Sequence, residues 1–246
     1  RLRCDWSSDV CSSDLDCHDR VVAMGNFDGV HLGHQSVIAL ARAIAATSDS
    51  KLGVITFEPH PRQLFAPDAP AFRLMNEETR AHRINKLGID TLFELPFNIE
   101  LSKLSAEEFA RDVLAKGLNI QHVVIGADFR FGKGRQGDAE LLGELGEELG
   151  FGVTVAPLVS DEKGDYSSSA IREALSTGHP EDAARILGHW HRVDGIVEKG
   201  DQRGRELGFP TANISLDGLH LPKFGVYAVF FDVLDEIGRA SCRERV

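Results

Sequence analysis

The chain has 246 residues, with 38 acidic against 27 basic side chains and a formal net charge of −11. That balance excludes a general binder of nucleic acid or anionic membrane, so any phosphate must be held by helix ends, metal ions and a few placed cations. At 42% hydrophobic content the chain is ordinary for a folded globular protein, and no apolar run is long enough to span a bilayer.

Residues 1–15 and 236–246 look foreign to the rest. The tail back-translates into codons resembling a short-read sequencing adapter, and the head resembles its partner. The native sequence is therefore expected to run from about Asp16 to about Asp235. Three of the four cysteines (Cys4, Cys11, Cys242) fall in these ends. Only Cys17 remains, so neither a disulfide framework nor a Cys-type metal site is expected, which fits a reducing cytoplasm. No signal peptide shows in the first residues.

Val21–Asn26 reads as a strand and His34–Thr47 as a helix, with Val37, Ile38, Leu40, Ala41 and Ile44 on one side. Between them runs Gly25-Asn26-Phe27-Asp28-Gly29-Val30-His31-Leu32-Gly33-His34. Glycines on a strand-to-helix turn let the backbone approach a phosphate, and the helix start offers it free N–H groups. His31 and His34, three positions apart, point at one place. Leu52–Phe57 is a second strand, followed by Glu58-Pro59-His60-Pro61-Arg62, a proline-stiffened loop whose Arg62 suits a phosphate. Asn76–Leu87 reads as a helix capped by Asn76, and Thr91–Leu95 as a third strand. Ser105 and Glu108 form a capping-box pattern that opens another helix. His122–Ile125 is a strand. It leads into Gly126-Ala127-Asp128-Phe129-Arg130-Phe131-Gly132-Lys133-Gly134, an aromatic and cationic loop that would suit a second substrate. A helix over Asp138–Leu149, closed by Gly150, and a strand over Phe151–Ala156 follow. Short apolar strands alternating with helices predict a parallel sheet covered on both faces, with ligands at the carboxyl ends of its strands.

Tyr166-Ser167-Ser168-Ser169-Ala170-Ile171-Arg172 reads as a helix start. Arg172 shares a face with Ser168 and Ser169, a set suited to gripping a triphosphate or a leaving pyrophosphate. From about His189 the texture changes. His191–Gly200 reads as a strand entering a turn and Phe224–Val233 as another strand, together the start of a separate, β-rich module.

The HxGH run at His31–His34 resembles the adenylyltransferase type of nucleotidyltransferase. GNFDGVHLGH, TFEPHPR, GADFRFGKGRQG and SSSAIR, in that order, resemble the prokaryotic bifunctional riboflavin kinase/FMN adenylyltransferase (FAD synthetase) family over roughly residues 20–235. The run Gly200–Asn213, ending in PTAN, and Gly225-Val226-Tyr227-Ala228 resemble the start of the family's kinase module. The resemblance implies a Rossmann-like nucleotidyltransferase α/β domain with a parallel sheet over 16–187, then an incomplete β-barrel riboflavin kinase module over 188–235. It implies catalytic roles for His31, His34 and Arg172. ATP would be bound by Gly25, Asn26, Phe27, Asp28, Gly29, Gly33, Ser168 and Ser169. Flavin would be bound by Phe57, Pro59, His60, Asp128, Phe129 and Arg130. Thr211 and Asn213 would form the kinase's metal–ATP site. Mg²⁺ is the implied cofactor, with ATP, FMN and riboflavin as small-molecule partners. No nucleic acid and no membrane partner are expected, and a weak homo-oligomer stays open.

Ser169 stands where the family commonly has threonine and keeps the hydroxyl. The family's kinase glutamate lies beyond the point where the family-like sequence meets the tail, and Glu236 has no claim to that role. Riboflavin phosphorylation is therefore expected to be lost. Two other readings stay open from the residues: adenylyl transfer to a different phosphate monoester, such as pantetheine phosphate or nicotinate mononucleotide, and a flavin- or nucleotide-binding protein without turnover.

Overall fold

The computed structural model describes residues 19–162, 164–195, 197–198, 208, 212–216, 218–233 and 236–243. The head read as foreign therefore lies outside the described residues.

Five strands build the central sheet: β1 (Val21–Met24), β2 (Leu52–Glu58), β3 (Thr91–Pro96), β4 (His122–Gly126) and β5 (Gly152–Ala156). All neighbours run parallel, in the order β3-β2-β1-β4-β5. Successive residues of β1 serve opposite faces, and this pleat divides the core in two. Val21 and Ala23 pack with Val54, Leu92 and Val124. On that face lie α1 (Leu32–Thr47), through Val37, Ile38, Ala41 and Ala45, and α3 (Glu77–Lys86), through Ile84. Val22 and Met24 pack with Ile55, Phe93, Val123 and Ile125 on the other face, under Phe109, Val113 and Leu114 and under Leu142 and Leu145 of α6 (Ala139–Leu149). Because strands buried on both faces carry apolar residues throughout, the sequence shows runs rather than alternation. The chain leaves β1 towards β2 on one side and returns to β4 on the other, so the switch point lies between β1 and β4. In open sheets of this kind ligands bind beside that point, at the carboxyl edge.

Local rules set the helix ends. Asn76 caps α3, accepting from the Thr79 N–H at 2.8 Å, and Asp138 caps α6, accepting from the Leu141 N–H at 3.0 Å. Gly150 closes α6 in the left-handed region. Ser105 and Glu108 form the expected reciprocal box at the start of α5 (Ala106–Glu108). The helix it opens is not an ordinary α-helix: Phe109–Gly117 is π-helical, and the Leu118 N–H reaches Val113 O at 2.9 Å. The wider turn sets Phe109, Ala110, Val113 and Leu114 into the core. Short helices α2 (Pro61–Phe65) and α4 (Ile99–Lys103) follow β2 and β3.

Beyond the sheet, β6 (Ser160–Asp161) and β7 (Gly164–Asp165) form a small ladder that leads into α7 (Ser168–Thr177) and α8 (Pro180–Leu187). These helices bury Ile171, Leu175, Ile186 and Leu187 against Leu74. Of the strand and turn expected over His191–Gly200, Val197–Glu198 forms β8, paired antiparallel with β9 (Asn213–Ile214), whereas residues 191–195 form no strand and residues 196, 199 and 200 lie outside the described residues. The polar groups of Asp194 turn instead to the start of α3, where its carboxylate accepts from Thr79 Oγ1 at 2.8 Å and its carbonyl from Asn76 Nδ2 at 3.3 Å. The last expected strand is β10 (Val226–Val233). It pairs antiparallel with β11 (Glu236–Arg243), which lies in the tail read as foreign.

Candidate active site

The loop between β1 and α1 crosses the switch point in a tight curl. Phe27, Gly29 and Val30 have φ of 51°, 91° and 46°. For Val30, β-branched, this is a strained conformation, and strain of that kind concentrates where a loop must present groups to a ligand. At Gly29 a side chain would also meet Leu74 Cδ1 at 2.9 Å. The curl delivers His31 as the N-cap of α1, with the His34 N–H donating to its Nδ1 at 3.3 Å. The spacing then stacks the two rings, with centroids 3.6 Å apart and planes 26° apart. Phe27 closes the far side of His34 at 5.1 Å. Gly33 lets this turn approach the segment just before α7, since a Cβ there would lie 3.0 Å from Tyr166 O.

Burial and then the nearby Arg172 lower the pKa of His31 to about 4. Burial and the adjacent His31 push His34 well below the usual imidazole range. Both rings are therefore neutral at pH 7. Because Nδ1 of His31 accepts a hydrogen bond, its proton sits on Nε2. Two neutral donors in a half-dry site can stabilise charge developing on a phosphate without first binding it as a counter-ion.

Arg172 and Asp28, both expected to face ATP, are joined to each other. The Arg172 guanidinium donates to an Asp28 carboxylate oxygen and to Phe72 O, the latter at 2.6 Å. Asp28, only 2% exposed, also accepts from the Leu74 N–H at 2.9 Å. Its role in this arrangement is to hold Arg172 and the Phe72–Leu74 segment. Ser167 caps α7, accepting from the Ala170 N–H at 3.1 Å. Ser168 donates to Asp28 O at 2.7 Å, tying α7 to the loop, while Ser169 is exposed. The structure thus brings His31, His34, Asp28, Ser168 and Arg172 to one place. Gly25 joins the sheet edge, its N–H donating to Ile55 O at 3.1 Å, and Asn26 O accepts from Thr56 Oγ1 at 3.1 Å.

A charge network beneath the site was missed by sequence reasoning. Glu58 is gripped at both oxygens by Arg73, each contact 3.1 Å, and by Arg80 Nη2 at 2.8 Å. Arg80, fully buried, also reaches Glu94 at 3.1 Å and Phe57 O at 3.3 Å. Burial would raise the Glu58 carboxyl, but the Arg73 hydrogen bonds and the two positive charges bring it below its ordinary value. The available signal was Glu94, an acid inside the apolar strand Thr91–Pro96.

The residues expected for flavin form two walls. His60 caps α2, accepting from the Arg62 N–H at 3.1 Å, and its ring stands edge-on to Phe72 at 4.9 Å. Burial, Arg73 and Arg172 lower its pKa to about 4. Arg62 and Arg172 both lie over Phe72, at 4.7 and 5.4 Å. Phe57 is buried beside Phe97 and Phe109, and Pro59 is exposed. On the β4 side Phe129 stacks on Phe131 at 5.9 Å, while Asp128 and Arg130 are exposed. Phe109 links the walls, lying 6.3 Å from Phe57 and 5.8 Å from Phe131. Exposed Phe65, 5.9 Å from Phe97, extends the aromatic chain and was not anticipated.

Asn213 is exposed on β9, and Thr211 lies outside the described residues. Among the described residues no group of three His, Cys, Asp or Glu side chains could hold a metal ion. Asp28 and Glu58 are each engaged by arginines.

A family model described as FAD synthetase matches residues 14–170, and one described as Riboflavin kinase matches residues 187–243. The bifunctional riboflavin kinase/FMN adenylyltransferase of Listeria monocytogenes is 38% identical over 227 residues, 91% of this chain and 72% of that protein. The protein of the same name from Bacillus subtilis is 39% identical over 225 residues, 90% and 70%. That of Escherichia coli is 37% identical over 209 residues, 85% and 67%. A crystal structure described as a macrolide-efflux protein from Streptococcus pneumoniae superposes with a TM-score of 0.81 at 33% identity, covering 91% of this chain and 73% of that one. Among the described residues of this chain no helix is long and apolar enough to cross a membrane.

Proposed function

Because this chain belongs to the FAD synthetase family, we propose that it transfers the adenylyl group of ATP to FMN, forming FAD and pyrophosphate. The stacked, neutral His31–His34 pair at the β1–β4 switch point is the observation that carries the reading. An oxygen of the FMN phosphate attacks the α-phosphorus, and the bond from that phosphorus to the bridging oxygen of the β-phosphate breaks. No general base is needed, since a phosphate monoester with a second pKa near ~6 is largely ionised at neutral pH. Catalysis reduces to aligning two anions and stabilising the charge between them. His31 and His34 donate to the α-phosphate, while Arg172 and the N–H groups at the start of α7 face the departing pyrophosphate. The flavin ring rests against the aromatic walls. Mg²⁺ would enter with ATP and offset the charge of its phosphates, as suits an ion that prefers substrate phosphates.

The substrates are small molecules, and the setting is the cytoplasm. Incubation with ATP, FMN and Mg²⁺ should release pyrophosphate and FAD in equal amounts. Absence of FAD, or faster turnover with nicotinate mononucleotide or pantetheine phosphate, would refute the reading. Replacing FMN by riboflavin reads the segment matched by the riboflavin kinase model, whose candidate residues are Thr211 and Asn213. FMN formed in that arm would assign it a second activity.

A further inference from the structure

Residues 219–223 belong to the segment matched by the riboflavin kinase model, yet they lie against the elements that carry Arg172 and Arg73. Leu219 is buried and forms a parallel bridge with Arg73. The His220 N–H donates to Arg73 O at 2.7 Å, and the Lys223 N–H to Leu175 O of α7 at 2.9 Å. The His220 ring reaches α7 as well: Nε2 lies 3.0 Å from Arg172 O and 3.0 Å from Ser176 Oγ. A carbonyl only accepts, so the proton sits on Nε2. His220 therefore joins, from one side, two segments whose other sides meet at the site. Phe72 O accepts from Arg172, the Leu74 N–H donates to Asp28, and Arg73 holds Glu58.

We propose that His220 is a positioning residue for adenylyl transfer, holding the Phe72–Leu74 segment and α7 together so that Arg172 stays directed at the phosphate site. The inference rests on the adenylyl-transfer reading. It adds that the second module takes part in the first module's chemistry without touching substrate.

The test uses the full chain carrying His220→Ala, His220→Asn or His220→Gln. Glutamine places an N–H near the Nε2 position, whereas asparagine, polar but shorter, does not. In alanine and asparagine variants kcat for FAD formation should fall at least fivefold with KM for ATP within about twofold, and glutamine should restore most of it. In parallel, exchange of the Leu74 amide, protected by Asp28, should quicken in the alanine and asparagine variants but not with glutamine. Unchanged kcat in an active protein, unchanged Leu74 exchange, or a glutamine variant as impaired as alanine would each overturn the proposal. Should wild-type protein form no FAD, the adenylyl-transfer reading fails by itself, and Leu74 exchange still decides whether His220 fixes the segment. If the alanine variant does not fold, asparagine against glutamine gives the same comparison.

Discussion

His31 and His34 do different work although their rings are stacked. On the proposed adenylyl-transfer reading His34 contributes a donor to the α-phosphate, so His34→Ala should lower kcat by about 10²–10³ while KM for ATP changes far less. Equal losses in both would mean that the ring only binds. His31 also caps α1, so His31→Ala should in addition cost about 1 kcal/mol of stability. His31→Asn keeps a capping oxygen and loses the ring, so it should separate the roles, with a near-native thermal midpoint and low turnover. Both rings were legible in the sequence because a three-residue spacing after a strand is a local signal. The Asp28–Arg172 pair was not, since its partners lie 144 positions apart and each alone looks like a ligand group. Acid adds a stability effect at the same scale. His31 and His60 titrate near 6.5 when unfolded but at about 4 when folded. The unfolded chain thus binds more protons between those values, and stability falls as pH drops from 6.5 towards 4. For buried His31 the ceiling is about 1.4 kcal/mol per pH unit. Urea midpoints at pH 7 and pH 5 check the sign, and a protein equally stable at both would contradict it.

Among the elements, α3 is where pattern and structure part. Its sequence, with five Asp, Glu, Lys or Arg residues in Glu77–Lys86, is that of a charged helix behind a good cap; the cap is Asn76 as expected, and the helix begins and ends one residue inside the expected Asn76–Leu87. Yet Arg80 is fully buried, because β3 brings Glu94 beneath it and β2 brings Glu58. Long-range partners of this kind leave no periodic trace. Removing one partner of a buried pair leaves an uncompensated charge, so Arg80→Met should destabilise by about 3–5 kcal/mol. Replacing both, Arg80→Met with Glu94→Leu, should recover most of that loss, since apolar residues of similar volume often match a buried ion pair. Equilibrium urea unfolding of the single and double variants gives the comparison. A double variant as weak as the single would instead place the stabilisation in the contact to Glu58. The π-helical Phe109–Gly117 was likewise hidden, because its capping box and apolar spacing are those of an ordinary helix.

At the scale of the whole molecule, alternating strand and helix signals already implied the parallel sheet, and the change of texture near His189 implied a second module. What the pattern could not carry was the return of residues 219–223 to Arg73 and α7, or of Asp194 to the cap of α3. These contacts join the later segment to the first, and whether they couple the two is read in unfolding. A ligand that binds only the native state stabilises whatever unfolds with its site, by about 2.7 kcal/mol at a hundredfold excess over Kd. If the segments unfold together, a nonhydrolysable ATP analogue at that excess should shift one transition reported alike by far-UV circular dichroism and by Trp190, which stands exposed just after α8. Substituting Trp6→Phe leaves Trp190 as the sole indole, because the chain has two tryptophans. Coincident curves that move together with the analogue are the expected result. A second transition that ignores the analogue would show that the later segment melts by itself, and that the contacts at Arg73, Leu175 and Thr79 are too weak to couple it to the nucleotide site.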